Sequence, residues 1–196
     1  MPPGTRERLL HAAWRCLTDA GLAGATSRAI TTAAGANLGA ITYYFGSKDA
    51  LLAEAVGAAI ERLITPAVEA LQDETVEPVA RVLNAVNHLE AAYAGSARDA
   101  PAYLEVLLQS RRMPLVRERI VALLTRFRAV LAEQMAEQQG EGFLPAWVEP
   151  DAMAGLLLAV ADGVVLQTSI DPDGPSYRAM AAQLAQLLIA SRAQAG

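Results

Sequence analysis

Residues 36–52 read ANLGAITYYFGSKDALL. Tyr43, Tyr44 and Phe45 stand in a row just ahead of Lys48, the single lysine of the chain. The whole sequence has only five tyrosines and three phenylalanines, so this is a concentration rather than background. Asn37 suits the cap of a short helix from Leu38 to about Phe45. Gly46-Ser47 breaks that helix, and Ser47 is placed to cap another that starts at Lys48. At about 100° per residue, Ile41 and Phe45 fall on one side of the short helix. Gly39, Ala40, Tyr43 and Tyr44 fall on the other, with Leu38 and Thr42 at the margins.

Working outward toward the N-terminus, Thr26 or Ser27 can cap a helix over about 28–34, and Gly35 ends it. Two short helices joined by a glycine-bearing turn form a helix-turn-helix. Ala29, Ala33 and Ala34 leave room for the helices to cross closely. An earlier helix, capped by Thr5 and stopped at Gly21, carries Leu10, Ala13, Trp14 and Leu17 at helical spacing. Ile30, Ile41 and Phe45 are spaced to share a core with Leu10 and Leu17. The outward face of the third helix is then small near its start and hydroxyl-bearing further on. A helix that enters the major groove is built this way: small residues approach base edges while hydroxyls and Lys48 reach phosphates. The helix beginning at Ser47–Lys48 adds free backbone N–H groups and a positive dipole end.

Charge divides along the chain in the same sense. Residues 1–48 carry five basic side chains against Glu7 and Asp19, a balance of +3. The remainder carries 11 basic and 19 acidic side chains, a balance of −8, so the net −5 conceals a basic end. A basic end matches the electrostatic footprint of a phosphate contact.

Composition places the rest. With 196 residues, about half of them apolar and rich in alanine and leucine, the chain suits one small domain joined to a larger helical one. Arginine outnumbers lysine fifteen to one, a bias from which no function is drawn. One cysteine, Cys16, excludes an internal disulfide and fits a reducing compartment; it reads as a small apolar helix residue. The start, MPPGTRER, lacks an apolar signal core, and the most apolar run, Ala152 to Ala161, stops at Asp162, short of the ~20 residues a membrane span needs. The expectation is a cytoplasmic protein with no membrane partner. Helices are expected to end near Ile64, where Pro66 closes the fourth, and to recur near 78–95, 101–110, 114–138, 150–170 and 176–193. No strand-like alternation persists. The fold class is therefore all-α, about nine helices, divided into a helix-turn-helix domain at 1–47 and a helical ligand-binding and dimerisation domain at 48–196.

Residues 5–52 closely resemble the DNA-binding domain of the TetR/AcrR family of bacterial transcriptional regulators. The matching letters are Gly21, Thr26-x-Arg28-x-Ile30, Ala34-Gly35, Gly39-x-Ile41 and Tyr43-Tyr44-Phe45-x-Ser47-Lys48-Asp49-x-Leu51-Leu52, in order and without gaps. The resemblance implies that Thr26, Arg28, Tyr43, Tyr44 and Lys48 touch DNA, mostly its backbone, while Leu38, Gly39 and Ala40 face base edges. Departures occur at Leu38, where a polar residue is usual, at Ala40, where threonine is common, and at Thr42, where an aromatic is common. Hydrogen bonding to bases should then be sparse, with Leu38 and Ala40 meeting thymine methyls and Arg28 best placed for guanine. Taken alone, Tyr43 and Tyr44 would more often pack on their own protein. Arg6 and Arg8 are open between a solvated helix start and a phosphate-reaching arm.

Farther along, Gly155, Ala159 and Gly163 recur every fourth residue, with Leu156, Val160 and Val164 beside them, as a groove for close approach of another helix. Tyr177, Met180, Leu184, Leu187 and Leu188 form a second stripe. Packing on their own subunit is the competing reading, but the family builds its homodimer from its last two helices, and two recognition helices must stand about 34–36 Å apart to meet successive major grooves. The central stripe of Val116, Ile120, Leu123, Leu124, Phe127 and Leu131 reads as core that could also wall an effector pocket. His88, Tyr93, Tyr103, Leu107, Phe127, Trp147, Met153 and Asp162 are the candidate lining. Polar groups among apolar neighbours are Asn84, Asn87, His88, Gln109 and Asp162. Six arginines at 111, 112, 117, 119, 126 and 128 read as a solvated face or as a site for an anionic effector. No catalytic constellation, cofactor motif or metal-ligand spacing appears. The expected partners are a double-stranded DNA operator, an unnamed small-molecule effector and a second copy of the chain. A helical ligand-binding module whose head does not bind DNA is the alternative, and an enzyme has little support.

Overall fold

A computed structural model describes residues 3–94, 99–142 and 144–171, together with 173–176, 178–180, 182, 183 and 186. Among these residues, eight α-helices and one 3-10 turn at Ser110–Arg112 make up the regular structure, and no strand occurs. The chain divides into two compact units, Met1–Arg62 with Ser96–Leu123, and Leu63–Gly95 with Leu124–Gly196.

In the first unit, α1 (Thr5–Gly24) buries Leu9, Ala12, Ala13 and Leu17. The inward stripe thus turns on Leu9 and Ala12, with Leu10 and Trp14 half-buried. Leu9 and Leu10 differ by one helical step, and only the packing partner selects between them. Gly4, not Thr5, holds the N-cap position, and the Thr5 hydroxyl accepts from the Arg8 guanidinium at 3.1 Å. The helix breaks at Gly21 (φ 65°, ψ −175°), as its glycine suggests, then makes one further turn. There the Leu22 N–H donates to the Glu105 carboxylate of α6 (Asp99–Gln109) at 3.1 Å.

The middle of this unit follows local sequence rules closely. Thr26 caps α2 (Ser27–Ala34) by accepting from the Ala29 N–H, and Gly35 ends it in the left-handed conformation (φ 59°, ψ 41°). The Asn37 carboxamide oxygen accepts from the Ala40 N–H at 2.9 Å at the start of α3 (Gly39–Phe45). Ser47 accepts from the Ala50 N–H at the start of α4 (Lys48–Leu71). Ile30, Ile41, Phe45, Leu51 and Leu52 are all buried. Leu17, Leu52, Val56, Val106 and Val116 converge around a void of about 10 Å³, at the lower limit for one water.

α4 does not stop near Ile64 but continues through Pro66 to Leu71. Pro66 removes one ladder hydrogen bond, while Ala67 and Leu71 beyond it are fully buried in the second unit and hold the last turn in place. That core joins Ala67, Leu71, Ala85 and Phe127, with Ile64, Val82, Leu89, Leu131 and Leu158 packed on it. Its helices are α5 (Pro78–Ala94), the second half of α7 (Pro114–Gly140) and α8 (Pro150–Ile170). Asp162 does not end the apolar helix. α8 runs 21 residues, and among the described residues it is the one helix long and apolar enough to cross a membrane by length and composition. A single carboxylate interrupts hydropathy without breaking a backbone ladder. Of the expected helix at 176–193, residues 178–180, 182, 183 and 186 are helical. Tyr177, Leu184, Leu187 and Leu188 lie outside the described residues.

Candidate nucleic-acid interface and effector cavity

The turn between α2 and α3 is fastened by main-chain bonds. The Gly35 N–H donates to Thr32 O and the Ala36 N–H to Thr31 O at 2.9 Å. Inside α2, the buried Thr31 hydroxyl returns to the carbonyls of Ser27 and Arg28, so no polar group is stranded under the turn. With Ile41 and Phe45 buried, α3 can present only its other face. Leu38 is 54% exposed, Tyr43 81% and Tyr44 40%. The two tyrosine rings meet edge to face at 4.8 Å, which orders them without burying them. Thr26, Arg28, Gly39 and Thr42 are exposed as well, while Ala40 and Lys48 are half-buried. Every DNA-contact position expected from the sequence is thus at least partly open to solvent, on adjoining elements.

Arg6 and Arg8 are used internally. Arg6 pairs with Glu54 of α4, and its guanidinium lies 5.1 Å from the centre of the Phe45 ring. Arg8 donates to the last carbonyl of α2, Ala34 O, at 3.0 Å and to Pro3 O and Thr5. Both clamp α1 onto the helix-turn-helix. The basic end is therefore presented chiefly by Arg28 and Lys48, with the opening N–H groups of α4 beside them. Cys16 is inert in this setting: burial pushes its thiol up from the ordinary value.

The second unit contains a cavity of about 390 Å³. α5 contributes Val82, Leu83, Val86, Asn87 and Leu89; α7 contributes Phe127, Leu131, Gln134, Met135 and Gln138; α8 contributes Leu157, Leu158, Val160, Ala161 and Val164. Of the lining expected from sequence, only Phe127 is there. Tyr103 and Leu107 belong to α6 in the first unit, with Tyr103 buried there. His88 is exposed, because the turn of α5 that points Asn87 inward turns its neighbour out. Trp147 is 60% exposed, and half-buried Met153 and Asp162 are not among the lining residues. The side chain of Tyr93 lies outside what is described. Asn87, flagged as a polar residue among apolar ones, does line the cavity; nothing in the local pattern signals Gln134, Gln138 or Arg178. In the central stripe, Val116, Ile120 and Leu123 are ordinary core of the first unit.

The comparisons with known proteins follow this division. Residues 9–55 match the family described as bacterial regulatory proteins, tetR family, and residues 78–191 match the BetI-type transcriptional repressor C-terminal family. The chain belongs to the TetR family of bacterial transcriptional regulators. Among curated relatives, it is similar to the HTH-type transcriptional regulator PksA of Bacillus subtilis (strain 168). The two are 24% identical over 167 residues, covering 85% of this chain and 80% of that one. It is also similar to the HTH-type transcriptional regulator BetI of Vibrio vulnificus (strain YJ016), at 25% identity over 183 residues, 89% of this chain and 85% of the relative. Among solved structures, the fatty acid degradation regulator FadR of Bacillus halodurans superposes with a TM-score of 0.79. It covers 96% of each chain at 19% identity, which establishes the shared fold.

The chain is thus a ligand-responsive DNA-binding transcriptional regulator, of a family that binds DNA operators and small-molecule effectors and forms dimers. In this TetR-family regulator the small-residue row of α8 is open. A Cβ added at Gly155 or Gly163 would meet nothing within 4 Å, and Ala159 is exposed, as is Leu156. Val164 departs from the expected dimer set: it is buried and lines the cavity of its own unit, as Val160 does. Met180 is half-buried, and Leu184 and Leu187 fall outside the described residues.

Proposed function

We propose that the protein is a cytoplasmic, homodimeric repressor without catalytic activity, released from its operator by a small molecule. The observation that carries this reading is the outward face of α3, where Leu38, Tyr43 and Tyr44 stay exposed while Ile41 and Phe45 are buried. Residues 1–47 supply the DNA contacts and 48–196 the effector and dimer functions. Tyr43, Tyr44, Thr26 and Lys48 hold phosphates, Arg28 reads guanine, and Leu38, Gly39, Ala40 and Thr42 lie along the base edges. The open row Gly155–Ala159–Gly163 supports a helix-to-helix dimer seam, extended by Met180, Leu184 and Leu187. An effector in the cavity of the second unit releases DNA only insofar as it binds the low-affinity conformation more tightly.

A gel-shift assay with DNA flanking the gene tests the reading. Wild-type protein should retard it with an affinity that falls steeply with salt. Tyr43→Ala should weaken binding by about fivefold, one phosphate contact's worth, with no change in Tm. One observation favours a second reading, a ligand-binding module with a silent head: Leu38 and Ala40 leave the start of α3 without side-chain hydrogen-bonding groups. Folded dimer that ignores duplex DNA at low salt would establish that alternative.

A further inference from the structure

The polar groups that reach the 390 Å³ cavity are few, and their charges are of one sign. Leu71, Val82, Leu89, Phe127, Leu131 and Leu158 make its walls overwhelmingly apolar, so they would hold a hydrocarbon body. Against these stand Asn87, Gln134, Gln138 and Arg178. The Gln134 amide already donates to Glu137 at 2.9 Å. Among the described residues, Asn87 and Gln138 have no side-chain hydrogen bond and no carboxylate pairs with Arg178. No acidic side chain lines the cavity, and the positions outside the described set include no aspartate or glutamate. Arg178 is itself exposed, so its guanidinium stands where the cavity meets solvent.

Resting on the reading of this cavity as the effector site, we infer that the effector is an anionic amphiphile. Its negatively charged head sits at Arg178, and its apolar body lies inward along α5, α7 and α8. A cation of the same shape would lose its water among aliphatic walls, next to a like charge and with no carboxylate in reach. A carboxylate head instead gains a charge-assisted bond at the rim, with the Asn87 and Gln138 amides as further donors.

Three probes of equal chain length test this: decanoate, decanol and decyltrimethylammonium, titrated by calorimetry into the purified full-length protein. Decanoate should bind about fivefold more tightly than decanol, the scale of one partly exposed ion pair, and the ammonium should not bind. Arg178→Gln should bring decanoate down to the affinity of decanol. Leu158→Trp, which fills the cavity, should remove binding of both. Equal binding of the ammonium, unchanged decanoate affinity in Arg178→Gln, or no decanoate binding would each overturn the inference. Gel shifts run in parallel separate it from the proposed function. Operator binding without decanoate binding sinks the ligand class alone, whereas Arg178-dependent decanoate binding without a gel shift sinks the regulator reading alone.

Discussion

Gly21 holds a backbone conformation (φ 65°, ψ −175°) that side chains with a Cβ essentially never adopt, and a Cβ there would stand 2.9 Å from the Glu105 carboxylate. Its lack of a side chain lets α1 turn where the Leu22 N–H can meet α6. Gly21→Ala should therefore destabilise by about 1–3 kcal/mol, a fall of roughly 2–4 °C in Tm for each kcal/mol. A thermal melt matching wild type would show that the bend carries no strain. Tyr43 is the opposite case: its side chain is almost wholly in solvent, so its loss should register in DNA binding and not in the melt. Cys16, whose thiol burial pushes upward, should be alkylated more slowly than free cysteine at mildly alkaline pH. A rate equal to free cysteine would contradict the burial that the structure gives it.

Among elements, the start signals were legible and the facing partners were not. Thr26, Asn37 and Ser47 each cap the helix their sequence position suggests, because a cap depends on atoms two or three residues away. Thr26→Ala should accordingly cost about 1 kcal/mol, read as a lower denaturation midpoint; an unchanged midpoint would mean that the Ala29 N–H finds another acceptor. Pro66 misled for the converse reason, since tertiary burial of Ala67 and Leu71 overrides a local stop. The same distinction explains the cavity. Periodicity identifies which α5 and α7 residues share a face, but not which unit that face serves, so Tyr103 and Leu107 were grouped with Phe127 across a boundary that no local pattern marks. Gly57 shows the limit most clearly. A Cβ there would collide with the side chain of Arg119, whose guanidinium donates to Glu61 at 2.8 Å, a close fit between residues some sixty positions apart.

For the whole molecule, the division into a basic end and an acidic remainder survives the structure, but fewer cations are spare than the count suggests. Arg6 and Arg8 fasten α1, so phosphate attraction from one head is modest and two heads on one duplex become necessary. Ala159 is exposed on the open row of α8, so Ala159→Arg should leave each chain folded while separating the pair. Sedimentation should then report monomer, and operator affinity should drop by about 10²-fold or more. A dimer with full affinity would place the seam elsewhere.

Lys48, at the head of α4, is the chain's single side-chain amine. Acyl donors that modify lysines at large would thus find one target here, and capping it would erase a positive charge from the edge assigned to the duplex. An amine-reactive dye would label the same spot, turning the unmodified sequence into an optical gauge of operator occupancy.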